Sequence, residues 1–199
     1  MSLRLTNNSL FGGLPDDICN HLPNLEPLTL SHNGLSGQLP ASLSDCSKLH
    51  ILSLSYNKFT GHIPQTVGNL SKLIHLYLND NSLAGEIPRE IDNLQSLQFL
   101  ALGSNSLTAG LLPSSIFNIS SLELISLRNS GLFGSLPADI CNHLPTLLEL
   151  ELSRSMISGT IPKNINNCTS LEFLYLDENR LTGIPKAEGF MHKCLHFGR

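Results

Sequence analysis

Residues 25–40 read LEPLTLSHNGLSGQLP and residues 49–64 read LHILSLSYNKFTGHIP. The two stretches match position by position at Leu25/Leu49, Leu28/Leu52, Leu30/Leu54, Asn33/Asn57, Leu35/Phe59, Gly37/Gly61, Leu39/Ile63 and Pro40/Pro64. The same frame restarts at Leu73, Leu97, Leu122, Leu147 and Leu171. A first copy, lacking its opening leucine, runs from Leu3 through Asn8, Leu10, Gly12, Leu14 and Pro15. A period of about 24 residues marks a chain that stacks one small unit on the next. The expected organisation is an array of about eight coils over residues 1–185 and a divergent tail over 186–199, with no linker between coils.

Each copy carries its own folding instructions. Strand side chains alternate with period 2, so the LxL pairs Leu28/Leu30, Leu76/Leu78 and Leu174/Leu176 face one side of an extended segment. Those leucines must point inward. Stacking successive coils about 4.8 Å apart then builds a parallel sheet whose outer positions are free to vary. After the strand comes Asn8, Asn33, Asn57, Asn81, Asn105 or Asn179, whose amide both donates to and accepts from the backbone where the chain leaves the sheet. Two coils carry Ser130 and Ser155 there, and a hydroxyl has less reach, so the ladder is expected to weaken at those coils. Gly37, Gly61, Gly85, Gly134 and Gly159 follow, each with proline three residues on, where glycine permits a tight bend and proline fixes φ.

Composition excludes several classes. The 199 residues include 12 Lys+Arg against 16 Asp+Glu, a formal net charge of −4, which argues against nucleic-acid binding. Charged residues are 14% where about 25% is usual, a skew that fits a repeat, and 41% hydrophobic residues suffice to close a core. No apolar run approaches the roughly 20 residues of a membrane helix. The opening MSLRLTNNSL is broken by polar residues and lacks the apolar core of about 7–15 residues found in a secretory signal. Taken by itself, the chain is expected to stay in the cytosol.

The wording LSGQLP, FTGHIP, LAGEIP and ISGTIP, recurring at a fixed period, resembles the plant-specific leucine-rich repeat. The resemblance implies an α/β-type repeat solenoid, a right-handed superhelix with a concave parallel β-sheet and convex 3-10 or irregular segments. Three longer stretches, DICNHLPNL, LSGQLPASLSDCSKL and SIFNISSLELISL, resemble ectodomains of plant receptor-like Ser/Thr kinases in the group containing the flagellin and elongation-factor receptors. That resemblance implies an extracellular, ligand-binding array at the plasma membrane, with a protein, peptide or glycan ligand on the concave face, a co-receptor, and a role in immune or developmental signalling. The cysteine-bearing caps of that family are missing, so the chain is expected to be an internal fragment with bare coil ends at Leu3/Leu5 and Leu174/Leu176. The eighth coil is one residue short between Leu181 and Pro185, as a splice or frame boundary near Gly183 would leave it. Two rival readings are a secreted inhibitor similar to polygalacturonase inhibitors, and a truncated gene product without function.

Cys19 and Cys46 are 27 residues apart, as are Cys141 and Cys168, and the coils between lack cysteine at both repeat positions. Disulfides joining consecutive coils would explain this pairing and fit an oxidising compartment. Buried free thiols are the alternative, and residues 3–48 and 125–170 match at about half their positions, so a duplicated block could have copied both cysteines without a bond. Asn-x-Ser/Thr sequons stand at Asn7, Asn69, Asn118 and Asn167, the last three at one repeat position expected to be convex and exposed. Asn93 holds that position without a sequon, so a purely backbone role for the asparagine is the alternative to glycosylation.

Projecting the outward strand positions gives Tyr56, His75, Tyr77, Asp80, Phe99, Arg128, Glu151, Arg154, Phe173, Tyr175 and Asp177 as candidate ligand-binding residues, flanked by Arg4, His32, Asn79, Glu149 and Glu178. All three tyrosines fall on this face, and tyrosine and arginine are enriched in binding hot spots. The competing reason is that aromatics favour strands. Acidic residues gather toward the C-terminal coils, which would orient a ligand of opposite polarity. Receptors of the wider family that grip a peptide carboxylate use an Arg-x-Arg pair on one strand. No coil here has one, so such a peptide is disfavoured.

Catalysis is not expected. There is no phosphate loop, no kinase motif and no GxSxG, and the pair Glu149/Glu151 lacks a pocket signature. No cofactor is expected. The histidines His21, His32, His50, His62, His75 and His143 have no metal-ligand spacing, and His192, Cys194 and His196 in the tail are a weak set, so no metal site is expected either.

Overall fold

A computed structural model describes residues 1–107 and 110–184. Eight short strands form one parallel sheet in chain order: Leu3–Arg4, Pro27–Thr29, Ile51–Ser53, His75–Tyr77, Phe99–Ala101, Leu124–Ser126, Glu149–Glu151 and Phe173–Tyr175. The register aligns the first leucine of each LxL across the stack, from Leu28 through Leu52, Leu76, Leu100, Ile125 and Leu150 to Leu174. Leu28 through Leu150 in this row are buried. Removing each such side chain from water contributes about 1.5–3 kcal/mol. The core is therefore one continuous leucine stack running the length of the array.

The other wall of the core is convex. Pro40, Pro64, Pro88, Pro113 and Pro162 each adopt extended backbone and open a 3-10 turn, at Ala41–Asp45, Gln65–Asn69, Arg89–Asn93, Ser114–Asn118 and Lys163–Asn167. Proline needs no amide partner at such a start. In the DICNHLP stretches one extra residue separates the proline from the next coil's leucine. There the regular 3-10 turn gives way to a short helix, Ile18–His21, and to turns around Cys141.

The asparagine ladder forms as its chemistry requires. Asn57 Nδ2 donates to the carbonyls of Leu30, Leu54 and Ser55 at 3.0–3.2 Å, and its Oδ1 accepts from the Leu35 amide at 3.0 Å. Asn33, Asn81, Asn105 and Asn179 repeat this pattern. At the two serine coils, Ser130 Oγ donates to Leu127 O at 2.6 Å and Ser155 Oγ reaches the same carbonyl only at 3.5 Å.

The structure adds a second set of strands that the one-strand-per-coil reading did not contain. Past the asparagine, Phe11–Gly12, Gly34–Gln38, Lys58–Gly61 and Ser82–Leu83 make a parallel ribbon, and Phe133–Ser135, Met156–Thr160 and Arg180–Gly183 make another. Single bridges, Ala84 to Ser106 and Leu111 to Phe133, span the interval between them. In that coil Asn105 and Pro113 are one residue further apart than Asn81 and Pro88, so the register of the ribbon cannot carry through. No described helix is long and apolar enough to cross a membrane.

Candidate ligand-binding face

The sheet register sorts the outward residues into two rows. One runs His75, Phe99, Leu124, Glu149, Phe173, and the other Tyr77, Ala101, Ser126, Glu151, Tyr175. At the start of these rows His75 meets Phe99 edge-on at 4.7 Å, with Tyr77 tilted at 5.6 Å from His75 and 6.5 Å from Phe99. At their end Phe173 and Tyr175 lie parallel, 6.3 Å apart. Between the two aromatic groups the rows lose bulk. Ala101, Gly103, Ser104 and Ser126 floor an open depression of about 370 Å³, with Tyr56, Tyr77, Asn79 and Asp80 from the preceding coils and Leu124, Arg128, Glu149 and Glu151 from the following ones around it.

Polar groups around the depression are mostly committed. Ser55 Oγ donates to Asn79 Oδ1 at 2.6 Å, and Asn79 Nδ2 donates to Asp80 Oδ2 at 2.7 Å. Ser126 Oγ donates to Glu151 Oε2 at 2.6 Å, and Arg128 Nε stands 3.8 Å from Glu151 Oε1. Glu149 has no side-chain hydrogen bond or ion pair among the described residues. Burial raises its carboxyl above the usual carboxylate range, and the Glu151 charge adds to the shift. The Asp80 carboxylate raises the Tyr56 hydroxyl, with burial and a hydrogen bond to Asp80 adding to it and Arg128 opposing. Burial raises Tyr77 and lowers His75, the latter opposed by Glu123.

Of the residues projected from the sequence, His75, Tyr77, Phe99, Glu151, Phe173 and Tyr175 do lie on strands. Tyr56, Asp80 and Arg154 do not. They occupy a corner that every coil makes just before the ladder position, with φ of 55°, 54° and 56°, in company with Asn7, His32, Ser104, Asn129 and Glu178. The chain needs one left-handed residue there to leave the sheet, and period-2 alternation stops at that residue. Arg128 and Asp177 lie two residues beyond their strands. The depression brings together Tyr56, Tyr77, Asp80, Arg128 and Glu151. Arg154 pairs instead with Glu178 at 2.9 Å, and Asp177 accepts from Ser153 at 2.6 Å. Ala101, Gly103, Ser104 and Ser126, which are small, and Leu124, an aliphatic residue among aromatic and charged ones, also line the depression and were not among the projected residues. The available signal was the run of small residues in ALGSN, residues 101–105, between bulkier coils.

Away from this face, Cys19 and Cys46 are joined with Sγ atoms 2.01 Å apart, and Cys141 and Cys168 with 1.99 Å, each linking one coil to the next. Asn7, Asn69, Asn118 and Asn167 are exposed. Asn69, Asn118 and Asn167 each end a convex 3-10 turn, while Asn7 sits at the first corner. No group of three His, Cys, Asp or Glu side chains among the described residues could hold a metal ion, and His192, Cys194 and His196 lie outside those residues.

The family described as Leucine rich repeat matches residues 1–59 and 47–107, more than half of the chain. No curated protein sequence matches it. Among solved structures, the chain is similar to the plant peptide hormone receptor RGFR1 in complex with RGF2, with 42% identity and a TM-score of 0.86 over 90% of this chain and 28% of that one. It is similar to the Arabidopsis receptor kinase HAESA in complex with the peptide hormone IDA and the co-receptor SERK1, with 30% identity and a TM-score of 0.84 over 90% of this chain and 30% of that one. A plant ice-binding protein is also similar, at 27% identity and a TM-score of 0.71, covering 92% of this chain and 65% of the other. The chain thus spans under a third of the length of the two receptors.

Proposed function

Because the chain belongs to the leucine-rich repeat family, we propose that it is a ligand-recognition segment of a plant receptor-like kinase ectodomain, binding a peptide or protein across its concave face. The observation that carries this reading is the pair of aromatic groups separated by an open depression on one continuous sheet. Hot spots in protein recognition are rigid aromatic and arginine side chains set in such concavities. The receptors it is similar to are described in complex with peptide hormones, which supports a peptide ligand. The DICNHLP-type stretches support an immune rather than a developmental role within that family. The two cystine links and the exposed sequons support an extracellular setting, with glycans at Asn69, Asn118 and Asn167 on the convex edge and at Asn7. Under this reading residues 1–185 are the repeat array.

The test is selection of a displayed library of random dodecapeptides on the immobilised chain. Enriched peptides should lose binding to Tyr77→Ala and Phe173→Ala and keep it with Gln65→Ala on the convex side. Absence of any enriched peptide, or binding indifferent to both concave variants, overturns the reading.

A further inference from the structure

The most specific chemistry on the concave face lies at the depression between the aromatic groups. Three carboxylates, Asp80, Glu149 and Glu151, line it against one guanidinium, Arg128. Asp80 accepts a hydrogen bond from Asn79, and Glu151 is held by Ser126 with Arg128 beside it. Glu149 alone is left without a partner, half-buried in the row between Leu124 and Phe173. A carboxylate so placed gains from a cation that a ligand brings, since charge-assisted hydrogen bonds are the strong ones. The floor of Ala101, Gly103 and Ser126 leaves room for a long side chain. Leu124 and the Tyr77 ring offer apolar surface to its stem, as lysine and arginine stems require.

Register fixes what stands beyond it. From Ala101 the row passes Ser126 and Glu151 to Tyr175, three strand intervals, roughly 14 Å at about 4.8 Å each. An extended peptide covers that distance in about four residues at about 3.3 Å per residue. The stacked Phe173 and Tyr175 rings form an apolar platform at that point.

We propose that the depression over Ala101, Gly103 and Ser126 is a subsite for a lysine or arginine of an extended peptide, with Glu149 as its counter-ion, and that the Phe173/Tyr175 platform takes an apolar residue about four positions away. This rests on the concave face being a peptide-binding surface and adds which peptides it selects.

The same random-peptide selection tests it separately from that premise. With the unaltered chain, enriched sequences should carry Lys or Arg about four positions from an aromatic or aliphatic residue. Glu149→Gln should lower affinity for a selected arginine peptide about tenfold or more, as loss of a charged hydrogen-bond partner does. Glu149→Lys, selected independently, should enrich Asp or Glu in place of the cation while keeping the apolar residue. Both variants should fold as the parent does, because Glu149 makes no side-chain hydrogen bond or ion pair among the described residues. Peptides that compete at the concave face but carry no basic bias, or a Glu149→Lys selection that returns the same basic sequences, would overturn the subsite and leave the peptide-binding reading standing. Failure to enrich any peptide overturns both.

Discussion

The rings of His32 and Tyr56 stack at 4.1 Å with 9° between their planes, and both residues have φ of 55°. Two bulky side chains therefore share the left-handed corner on adjacent coils. Stacking offsets part of the cost of that conformation, which is of order 1 kcal/mol or more for a residue other than glycine or asparagine. Substituting Tyr56 by valine, whose branched Cβ fits this region worst, should destabilise the fold by about 1–2 kcal/mol. Asparagine at the same position should leave stability within about 0.5 kcal/mol. Urea unfolding of the two variants checks both values, and equal losses would show that the corner imposes no conformational demand.

Leu76 and Tyr77 are neighbours with opposite duties. Leu76 is fully buried in the leucine row, while Tyr77 faces the depression. Leu76→Ala should cost about 2–5 kcal/mol by opening a cavity between coils, and Tyr77→Ala well under that. Thermal melts that drop equally would reverse the assignment of the two faces.

Ladder repair gives a gain rather than a loss. Ser155→Asn should supply an Oδ1 for the Leu132 amide and an Nδ2 for the nearby carbonyls, as Asn179 does for Ile157 and Leu152 in the next coil. We expect about 1 kcal/mol of added stability. Asn57→Ala, which abandons the carbonyls of Leu30, Leu54 and Ser55 and the Leu35 amide, should lose about 2 kcal/mol or more. Denaturant midpoints at unchanged slope would report both changes.

Acidity acts through Glu149. Its folded carboxyl binds a proton more tightly than the unfolded one, so its contribution to stability is present at low pH. That contribution is lost as pH rises from the unfolded value through the raised folded one. Glu149→Gln should flatten this part of the profile, matching the parent in acid and equalling or exceeding it at neutral pH. His75 works in the opposite sense: burial lowers it, so stability falls as pH drops below its ordinary value. Melting temperatures of parent and variants across pH 3–8, an interval about the ordinary values of both groups, would show these slopes.

The repeat, the leucine rows and the asparagine ladder were legible because each follows from a short periodic rule that every coil restates. Cys19 and Cys46 could be singled out by their spacing, but a shared ancestral block explained the same spacing, and only their positions in space distinguish the two. The corner at Tyr56, Asp80 and Arg154 was not legible, since side-chain alternation says nothing about where a strand stops. The second ribbon and its interruption after Ser82–Leu83 depended on one added residue between Asn105 and Pro113, which shifts backbone pairing without disturbing the hydrophobic pattern. The depression was missed for a related reason. It is made by what Ala101 and Ser126 lack, beside Gly103, whose missing Cβ lets the Arg128 backbone come close.

The two cystine links also decide how the molecule would yield to force. Pulled from its ends, the coils from Cys19 to Cys46 and from Cys141 to Cys168 cannot lengthen beyond their closed loops. The stretch from Cys46 to Cys141 has only stacking to resist, and it includes the interrupted ribbon and the Ser130 rung of the ladder. Apart from the end coils outside the links, extension should therefore be confined to this middle stretch, whose 95 peptide steps (141 − 46) pay out about 300 Å of contour at about 3.3 Å each, while the clamped coils stay short until reductant is added.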